Sequence, residues 1–512
     1  MGGYVSAALN KRTNEVMVWS SENHVTTLTR HPGIFEFYIQ DDEGEYTSVF
    51  GEKLKKCSFN SWDELQEARN YLTNVKRVKM YESDIAPEFK VISKLFYKTP
   101  APKLNITLWD IEVDYDPLRG FSDPMNPYAP INAISLFHYW SNESYVLAVP
   151  PPNFDINTFD NSLRELATVE LFKNEKDLLR RFLKLIEKTD LLSGWHTSGF
   201  DDPYTCKRIE MVLGRDALQK MCFPGAPPPR FNPREFMGRQ QLQVVLHGRV
   251  CVDYLDIFKK YEVKERQSYK LEVIAEEFLP HLPKLSYTGT LHELYNKDFN
   301  HFVRYNIRDT EILRGFEDKL GYIALANEMR HSVSGQFDHI RGTVRLVDYA
   351  IVNYCHYVLD VIVPDRWDTQ DGSIMGAYVL LPQKGMHEYI GSIDINSLYP
   401  SDIMAINISP ETYIGQFIYN IKDWESLYAK EERELTLKLE NGDLISKLTS
   451  EWREYLWDNK WAVSGYGTVY SQENPGIIPT ILGDWYKERK EFQKLKNKYY
   501  EEAKAILRKY AK

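Results

Sequence analysis

Acidic side chains lie in patterns that suit metal ions at several places along the chain. In residues 104–113, Asp110 and Glu112 are separated by one residue. Apolar and β-branched residues around them predict a strand, on which residues two apart face the same way. Two adjacent ionised carboxylates repel each other unless a cation lies between them. The pair therefore predicts a metal site, which Asp114 could extend, although a solvent-facing acidic edge explains this segment alone equally well.

Two further acids lie at places where a strand or helix fixes a side chain. Asp201 follows an apolar strand and a glycine-containing turn, at the start of a predicted helix. Asp309 lies within residues 299–320, whose apolar spacing predicts a helix, and Tyr305 is four residues earlier on the same face. Taken in isolation, a surface tyrosine and an aspartate paired with a neighbouring arginine is the simpler interpretation of this last pair.

Another candidate carboxylate is Asp394. Residues 389–393 are apolar and predict a strand that ends at Asp394, which is followed by small polar residues in a tight turn. A carboxylate at a strand end suits a divalent metal. The backbone amides of residues 395–398 could bind an anion beside it, as a triphosphate requires. An aspartate in a turn more often caps nearby amides, so this segment alone does not show whether Asp394 binds a metal.

A basic helix is predicted at the end of the chain. Between Trp485 and Lys512 there are ten Lys or Arg residues and four Glu residues. The helix is either a solvated surface helix or a phosphate-binding face.

Composition limits the classes of protein but does not choose among them. The 512 residues predict three or four domains, and 43% hydrophobic residues suffice for ordinary cores. The net charge of −10 does not exclude nucleic-acid binding, which needs only a local basic surface. No apolar run is long enough to span a membrane. The five cysteines form no Cys-x-x-Cys pair, which argues against a zinc site and favours a reducing compartment.

Longer motifs carry a resemblance to a known family. Asp-Ile-Asn-Ser-Leu-Tyr-Pro-Ser at residues 394–401 resembles the first catalytic motif in the palm of family B DNA polymerases, commonly Asp-x-x-Ser-Leu-Tyr-Pro-Ser. Asn-Ile-Ser-Pro-Glu-Thr at residues 407–412 resembles its continuation in the T-even bacteriophage branch. The segments that contain Asp110 with Glu112, Phe200 with Asp201, and Tyr305 with Asp309 resemble the three exonuclease motifs of proofreading polymerases, in the expected order.

The resemblance implies a multidomain α/β and α+β fold with an RNase H-like exonuclease domain, an N-terminal α+β domain and part of a polymerase palm and fingers. The expected divisions are residues 1–102 (N-terminal domain), 103–322 (exonuclease domain), 323–365 (connecting helices), 366–475 (partial palm) and 476–512 (first half of the fingers). Residues 253–258 resemble a strand common to such exonuclease domains. Residues 376–379 resemble an element at the palm entry that contacts the template strand, although a structural turn fits them equally well.

The resemblance also implies roles for individual residues. In the exonuclease site, Asp110, Glu112, Asp201 and Asp309 would hold two Mg²⁺ (or Mn²⁺) ions, and Tyr305 would orient the attacking water. In the polymerase site, Asp394 would bind two further such ions. Residues expected to bind the incoming nucleotide are Ser397, Leu398, Tyr399 and Arg489, and the Tyr399 ring would exclude a 2′-hydroxyl. One departure is His196, at a position where the second exonuclease motif often carries Asn.

Motifs for the second palm carboxylate, the rest of the fingers and the thumb are not found. We therefore expect polymerisation to require a second chain, or the sequence to be a fragment. The expected partners are primer–template and single-stranded DNA, deoxynucleoside triphosphates, that second chain and a sliding clamp, in a bacteriophage host's cytoplasm. The alternatives are a free-standing 3′–5′ exonuclease with a vestigial palm, and a non-catalytic DNA-binding scaffold subunit.

Overall fold

A computed structural model of the chain describes residues 2–114, 116, 118–236, 239–366, 380–394, 397–418 and 432–510. Contacts between residues divide the chain into two compact units. The first unit comprises Met1–Glu36, Cys57–Val78 and Ile85–Ala350, and the second comprises Phe37–Lys56, Lys79–Asp84 and Ile351–Lys512. The five domain divisions made from the sequence stay a prediction.

The first unit begins with a three-stranded antiparallel sheet. Its strands, in the order β1-β2-β3, are β1 (Gly3–Asn10), β2 (Glu15–Glu22) and β3 (Val25–Pro32). Two helices accompany it, α1 (Trp62–Tyr71) and α2 (Pro87–Phe96). Helix α1 begins after Ser61, whose hydroxyl accepts a hydrogen bond from the amide of Glu64 (3.1 Å).

A six-stranded mixed sheet forms the centre of the first unit. Its strands, in chain order, are β8 (Ile106–Val113), β9 (Ile131–His138), β10 (Glu143–Ala148), β11 (Thr168–Leu171), β12 (Leu191–Gly194) and β15 (Val250–Asp253), and their order in the sheet is β11-β10-β9-β8-β12-β15. Strand β9 runs antiparallel to β8 and β10, whereas β12 is parallel to both β8 and β15. Strand β8 therefore lies inside the sheet, between β9 and β12.

Two hydrophobic cores use different residues of β8. Leu108 belongs to a core that includes Phe258 and Phe316, while Trp109 belongs to a core that includes Phe182 and Ile209. The remaining elements of the first unit are the antiparallel hairpin β13 (Arg230–Phe236) and β14 (Arg239–Val245), and the helices α3 (Glu175–Leu185), α4 (Asp201–Leu213), α5 (Arg215–Leu218), α6 (Tyr254–Tyr261), α7 (Leu271–Phe278), α8 (Leu291–Lys297), α9 (Phe299–Leu320), α10 (Tyr322–Ser332) and, ending beyond the unit, α11 (Thr343–Tyr354). The predicted α/β and α+β multidomain class is confirmed, and the helix-covered mixed sheet is consistent with an RNase H-like domain.

Helix α9 confirms the helix predicted over residues 299–320, and Gly321 ends it with a left-handed φ of 63°. The strand predicted over residues 253–258 is wrong beyond its first residue. Asp253 ends β15 and accepts a hydrogen bond from the amide of Leu255 (3.0 Å), which begins α6. Apolar residues then recur at helical spacing and are buried (Tyr254, Leu255, Ile257 and Phe258).

The second unit contains two sheets. The smaller sheet has the strands β4 (Glu36–Gln40), β5 (Tyr46–Thr47), β6 (Lys53–Ser58) and β7 (Met80–Tyr81), in the order β5-β6-β4-β7. The larger sheet is antiparallel, in the order β18-β17-β16-β20-β19, and its strands are β16 (Tyr413–Ile418), β17 (Glu434–Leu439), β18 (Leu444–Leu448), β19 (Trp461–Val463) and β20 (Thr468–Ser471). The helices of this unit are α12 (Leu398–Ile406), α13 (Thr449–Asp458) and α14 (Ile477–Tyr510).

The first turn of α14 is fixed by residues that follow α12. The Asn407 side chain accepts a hydrogen bond from the amide of Gly476 (2.7 Å), and Glu411 accepts one from the amide of Ile477 (2.6 Å). These bonds satisfy amides that a helix start leaves without partners. Beyond Ile481 no side chain of α14 is buried, so the predicted basic helix is confirmed as a long exposed helix.

The strand predicted over residues 389–393 is wrong, because this segment has no regular secondary structure. Tyr389 is 101% exposed. A strand is stable only when a neighbouring strand accepts and donates its hydrogen bonds, and no strand of the described part of the chain pairs with this segment. The predicted palm-entry element at residues 376–379 lies outside the described residues. No helix in the described ranges is long and apolar enough to cross a membrane.

Candidate active site

Strand β8 places two carboxylates in the interior of the first unit. Asp110 and Glu112 lie on one face of the strand, while the neighbouring Trp109 and Ile111 pack in a hydrophobic core on the other face. Ligand oxygens of Asp110, Glu112 and Asp309 all lie within 4.8 Å of one another. We call these three residues the carboxylate cluster. The prediction that Asp110 and Glu112 are neighbours on one face is therefore confirmed.

Helix α9 contributes the third carboxylate of the cluster. Asp309 is buried, and Tyr305 lies one turn earlier on the same helix. The intervening Asn306 fixes the helix to β8, because its side-chain amide donates to Asp110 Oδ2 (3.0 Å). The carbonyl of Asn306 in turn accepts a hydrogen bond from the Ser135 hydroxyl of β9 (2.9 Å). These two hydrogen bonds thus fix the position of α9 along strands β8 and β9.

Asp201 approaches the same strand from the start of α4. Its Oδ1 accepts a hydrogen bond from the backbone amide of Ile111, between the two acids of β8 (3.2 Å). Asp201 does not belong to the 4.8 Å cluster, but its negative charge contributes to the raised pKa of Asp110. The structure therefore brings all four predicted exonuclease carboxylates to one region.

Lys284 is a site residue that the sequence did not indicate. Its ammonium donates to Asp309 Oδ2 (2.7 Å) and lies 4.8 Å from the centre of the Tyr305 ring. Lys284 lies between α7 and α8, outside any regular element, so no hydrophobic periodicity places it. Its proximity to Asp309 depends on tertiary packing alone.

Burial and mutual repulsion disfavour the ionised forms of these acids. Burial raises the pKa of Asp110 well above its ordinary value, and the charges of Asp309 and Asp201 raise it further. Burial and the charges of Asp110 and Asp309 have the same effect on the pKa of Glu112. Burial also raises the pKa of Asp309, but Lys284 opposes that rise. A cation among these oxygens would remove the repulsion.

The donor set fits a hard divalent cation. All the ligands are carboxylate oxygens, which Mg²⁺ and Mn²⁺ prefer over the nitrogen and sulfur ligands typical of zinc. Asp309 Oδ1 is buried and has no hydrogen-bond partner among the described residues, which is unfavourable unless an ion or water binds it. Within the described part of the chain, no second group of three or more such side chains occurs.

Two other residues named in the sequence analysis, Asp114 and His196, do not belong to the cluster. Asp114 follows β8, and its Oδ1 lies 2.9 Å from Nδ1 of His292, so it does not extend the cluster. His196 is exposed, with a left-handed φ of 67°. Its imidazole lies against Gly199, where an added Cβ would come within 2.5 Å of Nε2. A side chain at residue 199 would therefore displace the exposed imidazole of His196 from this position.

An exposed aromatic ring lies next to the Asp201 segment. Phe121, in the loop between β8 and β9, is 71% exposed, and its ring centre is 5.7 Å from that of Phe200. The ring of Phe200 stacks on Tyr204 of α4 (5.0 Å). No pattern in the sequence indicates Phe121, because it is a single aromatic residue in an irregular loop.

The predicted polymerase residues lie in the second unit and form no comparable cluster among the described residues. Asp394 and Arg489 are exposed, as are Leu398 and Tyr399 at the start of α12. Ser397 precedes that helix with a left-handed φ of 53°. Residues 395 and 396, half of the predicted anion site, lie outside the described residues.

Comparison with known proteins finds two family models that match separate segments of the chain. The family model for the exonuclease domain of DNA polymerase family B matches residues 61–274, and the model for DNA polymerase family B matches residues 341–510. The DNA-directed DNA polymerase of Enterobacteria phage T4 is 24% identical over 518 residues, covering 96% of this chain and 52% of the phage protein. That of Escherichia phage RB69 is 24% identical over 487 residues, covering 90% and 50%. DNA polymerase 1 of Pyrococcus abyssi is 23% identical over 348 residues, covering 64% and 38%. The chain thus spans about half the length of the two phage polymerases.

The raised carboxyl pKa values predict a pH-dependent stabilisation by Mn²⁺. In the absence of a cation, the folded chain favours the protonated acids, so its stability falls as the pH rises through their raised pKa values. Mn²⁺ competes with protons, and we expect it to raise the melting temperature more at pH 8 than at pH 6. At 100 times its dissociation constant, the ion adds about 2.7 kcal/mol.

Differential scanning fluorimetry measures this effect, with Glu112→Gln as the variant that loses one charged ligand. An equal Mn²⁺ shift at both pH values, or in the variant, would contradict a cation site at the carboxylate cluster.

Proposed function

The chain belongs to DNA polymerase family B and carries that family's exonuclease domain, and we propose that the region of the carboxylate cluster is a 3′–5′ exonuclease site. The observation that carries this proposal is the close approach of two buried carboxylates (Glu112 and Asp309) and one partly buried carboxylate (Asp110), whose ligand oxygens lie within 4.8 Å of one another. Such an arrangement is unfavourable without cations. Asp110 and Glu112 lie within residues 61–274, which the exonuclease model matches, whereas Asp309 lies outside that segment. The proposed substrates are single-stranded DNA and the primer end of primer–template DNA.

Four carboxylates are proposed to hold two Mg²⁺ (or Mn²⁺) ions in this site: Asp110, Glu112, Asp201 and Asp309. When bound, such ions lower the pKa of a water molecule and neutralise charge on a phosphodiester. The charges of both Asp201 and Asp309 act on Asp110, and the Asp110 charge acts on Glu112. Asp110 is therefore suited to bind both ions.

Tyr305 and Lys284 have complementary proposed roles. Burial and the Asp309 charge raise the pKa of Tyr305, so its phenol keeps its proton at neutral pH and can orient a water by hydrogen bonding. Burial lowers the pKa of Lys284, but the Asp309 carboxylate and Tyr305 outweigh this effect and keep its ammonium charged. Lys284 is therefore available to attract a phosphate oxygen of the substrate.

Phe121 is proposed to bind an unpaired base next to the site. Its exposed ring offers a stacking surface, and contact with Phe200 fixes that surface one residue from Asp201. Stacking of bases on aromatic rings needs no particular sequence, as a proofreading site requires.

The polymerase activity is a second proposal, for the part of the chain matched by the polymerase model. Asp394 would bind the catalytic ions, and the residues proposed to contact a deoxynucleoside triphosphate are Ser397, Leu398, Tyr399 and Arg489. A two-metal site needs further carboxylates, which we propose a second chain supplies. A sliding clamp and action in a phage host's cytoplasm are proposals from the similarity to phage polymerases.

Two other functions fit the observations less well. A free-standing exonuclease with a vestigial palm would have no need of the Asp394 to Ser401 motif. A non-catalytic scaffold would gain nothing from holding three carboxylates together, two of them buried, at a cost in stability.

The exonuclease proposal predicts that Asp110→Ala/Glu112→Ala stops Mg²⁺-dependent shortening of a 5′-labelled single-stranded oligonucleotide. The rate is expected to fall more than about 100-fold, because removing a direct ligand costs more than removing a residue that only orients a ligand. Gel analysis of a time course measures the rate, and a binding assay without metal should give unchanged DNA affinity.

Asp42→Ala/Glu43→Ala is the matched control, since it removes two acids from an exposed turn of the second unit. Shortening by the Asp110→Ala/Glu112→Ala chain at the wild-type rate would refute the exonuclease assignment.

The stacking proposal predicts that Phe121→Ala raises the KM for single-stranded DNA roughly ten- to hundredfold, because one base–aromatic stack is lost. The kcat should change little, since no ligand is altered. Leu118→Ala serves as the control, because Leu118 lies in the same loop, is 97% exposed and offers no ring. An equal effect of both substitutions would exclude a specific role for the Phe121 ring.

The polymerase proposal predicts that this chain extends a primer only when mixed with a chain that carries the remaining palm, fingers and thumb motifs. Primer extension with Mg²⁺ and all four deoxynucleoside triphosphates tests this, and Asp394→Ala should abolish extension by the mixture while shortening persists. Extension by the 512-residue chain alone would refute the need for a second chain.

A further inference from the structure

We propose that Asp253 is a positioning residue that holds the turn of residues 196–198 and thereby fixes Asp201 beside β8. This inference rests on the proposed exonuclease site, because it concerns how one metal ligand of that site is held. Asp253 ends β15, two strands away from β8, and is 2% exposed.

The Asp253 carboxylate accepts three hydrogen bonds from the turn. Oδ1 accepts the backbone amide of His196 (2.9 Å), and Oδ2 accepts both the amide (3.2 Å) and the hydroxyl (2.7 Å) of Ser198. Oδ1 also accepts the amide of Leu255, which ties the carboxylate to its own helix α6 (3.0 Å). Both carboxylate oxygens therefore accept hydrogen bonds, and they link the turn to the start of α6.

The turn needs such a partner because its backbone is irregular. His196 has a φ of 67°, a left-handed conformation that non-glycine residues rarely adopt. The turn then continues into α4 through hydrogen bonds from the amides of Phe200 (3.3 Å) and Asp202 (3.0 Å) to the carbonyl of Thr197. Asp201, the first residue of α4, lies between those two amides. A shift of the turn would therefore move Asp201.

The position of Asp201 relative to β8 is fixed from a second direction. Its Oδ1 accepts the amide of Ile111 (3.2 Å). Strand β12, which leads into the turn, lies so close to β8 that a Cβ on Gly194 would be 2.4 Å from the carbonyl oxygen of Trp109. Gly194 is also paired with Asp253 in the register of β12 and β15. The contacts thus run without a gap from Asp253 through the turn to Asp201 and β8.

Only a carboxylate supplies this set of acceptors. Asn has nearly the same shape, but its one oxygen cannot replace both acceptors, and its NH₂ group would face an N–H donor. Asp253→Asn is therefore the informative substitution. Ser198→Ala is a milder one, because it removes a single donor and leaves the carboxylate in place.

Mn²⁺ binding to the full chain tests this role without relying on catalysis. The parent carries Asp394→Ala, so that the palm carboxylate adds no site, and electron paramagnetic resonance measures free Mn²⁺ during a titration. In Asp253→Asn we expect the affinity for one of the bound ions to fall about tenfold, as for other residues that orient metal ligands. Ser198→Ala should lower the affinity for the same ion less. Asp256→Asn is the control, since this half-exposed acid of α6 pairs with Arg341 (2.7 Å) instead of the turn.

The exonuclease assay then separates positioning from general damage. Excess Mn²⁺ should restore most of the Asp253→Asn rate with an unchanged KM for DNA, whereas a rate depressed equally at every Mn²⁺ concentration overturns the positioning role. Identical Mn²⁺ titrations of Asp253→Asn and an active parent overturn this inference alone. A parent that binds Mn²⁺ as expected but does not shorten DNA overturns the exonuclease proposal. The role of Asp253 is still supported in that case if Asp253→Asn binds Mn²⁺ more weakly than the parent.

Discussion

Repulsion among the acids of the carboxylate cluster is the main energetic cost that the first unit must compensate. Asp110, Glu112 and Asp309 would ionise freely in water, but burial strengthens every charge interaction between them. Lys284 compensates part of the Asp309 charge, but the pKa values of all three acids stay raised. A fold optimised for stability alone would place apolar side chains at these positions. The energetic cost of the arrangement is therefore the strongest physical indication of a cation-dependent function.

The sheet order explains how four acids from distant parts of the sequence meet. Strands β8, β12 and β15 are parallel neighbours, so they end at the same edge of the sheet. Asp253 is the last residue of β15, and Asp201 follows the turn after β12, while α9 crosses beside β8 and β9 and brings Asp309. Such an edge is where open α/β sheets commonly place their ligands. Rigid strands hold the acids, and short turns adjust their final positions.

Local patterns in the sequence were sufficient wherever a regular element alone determines the geometry. Strand parity was enough to predict that Asp110 and Glu112 are neighbours, and helical spacing was enough for residues 299–320. Contacts between elements were not predictable in this way, and Lys284 and Phe121 were missed because irregular loops position them. Residues 253–258 resemble a strand of such exonuclease domains, and their apolar content is compatible with a strand as well as with a helix. The capping bond from Asp253 decides in favour of a helix after the first residue.

The predicted strand at residues 389–393 failed for a different reason, which also bears on Asp394. Its apolar content is real, but a strand depends on a neighbour, and the described residues supply none. Asp394 is consequently exposed, and a single exposed carboxylate binds a divalent cation weakly, because water already solvates its charge.

The residues after α12 nevertheless hold a well-defined structure, since Asn407 and Glu411 fix the first turn of α14. A cation site at Asp394 therefore needs further oxygen ligands, such as the phosphates of a bound nucleotide. The two proposed sites differ in this physical respect. The acids of the carboxylate cluster are already brought together by strand and helix packing within one unit, whereas Asp394 depends on what binds to it.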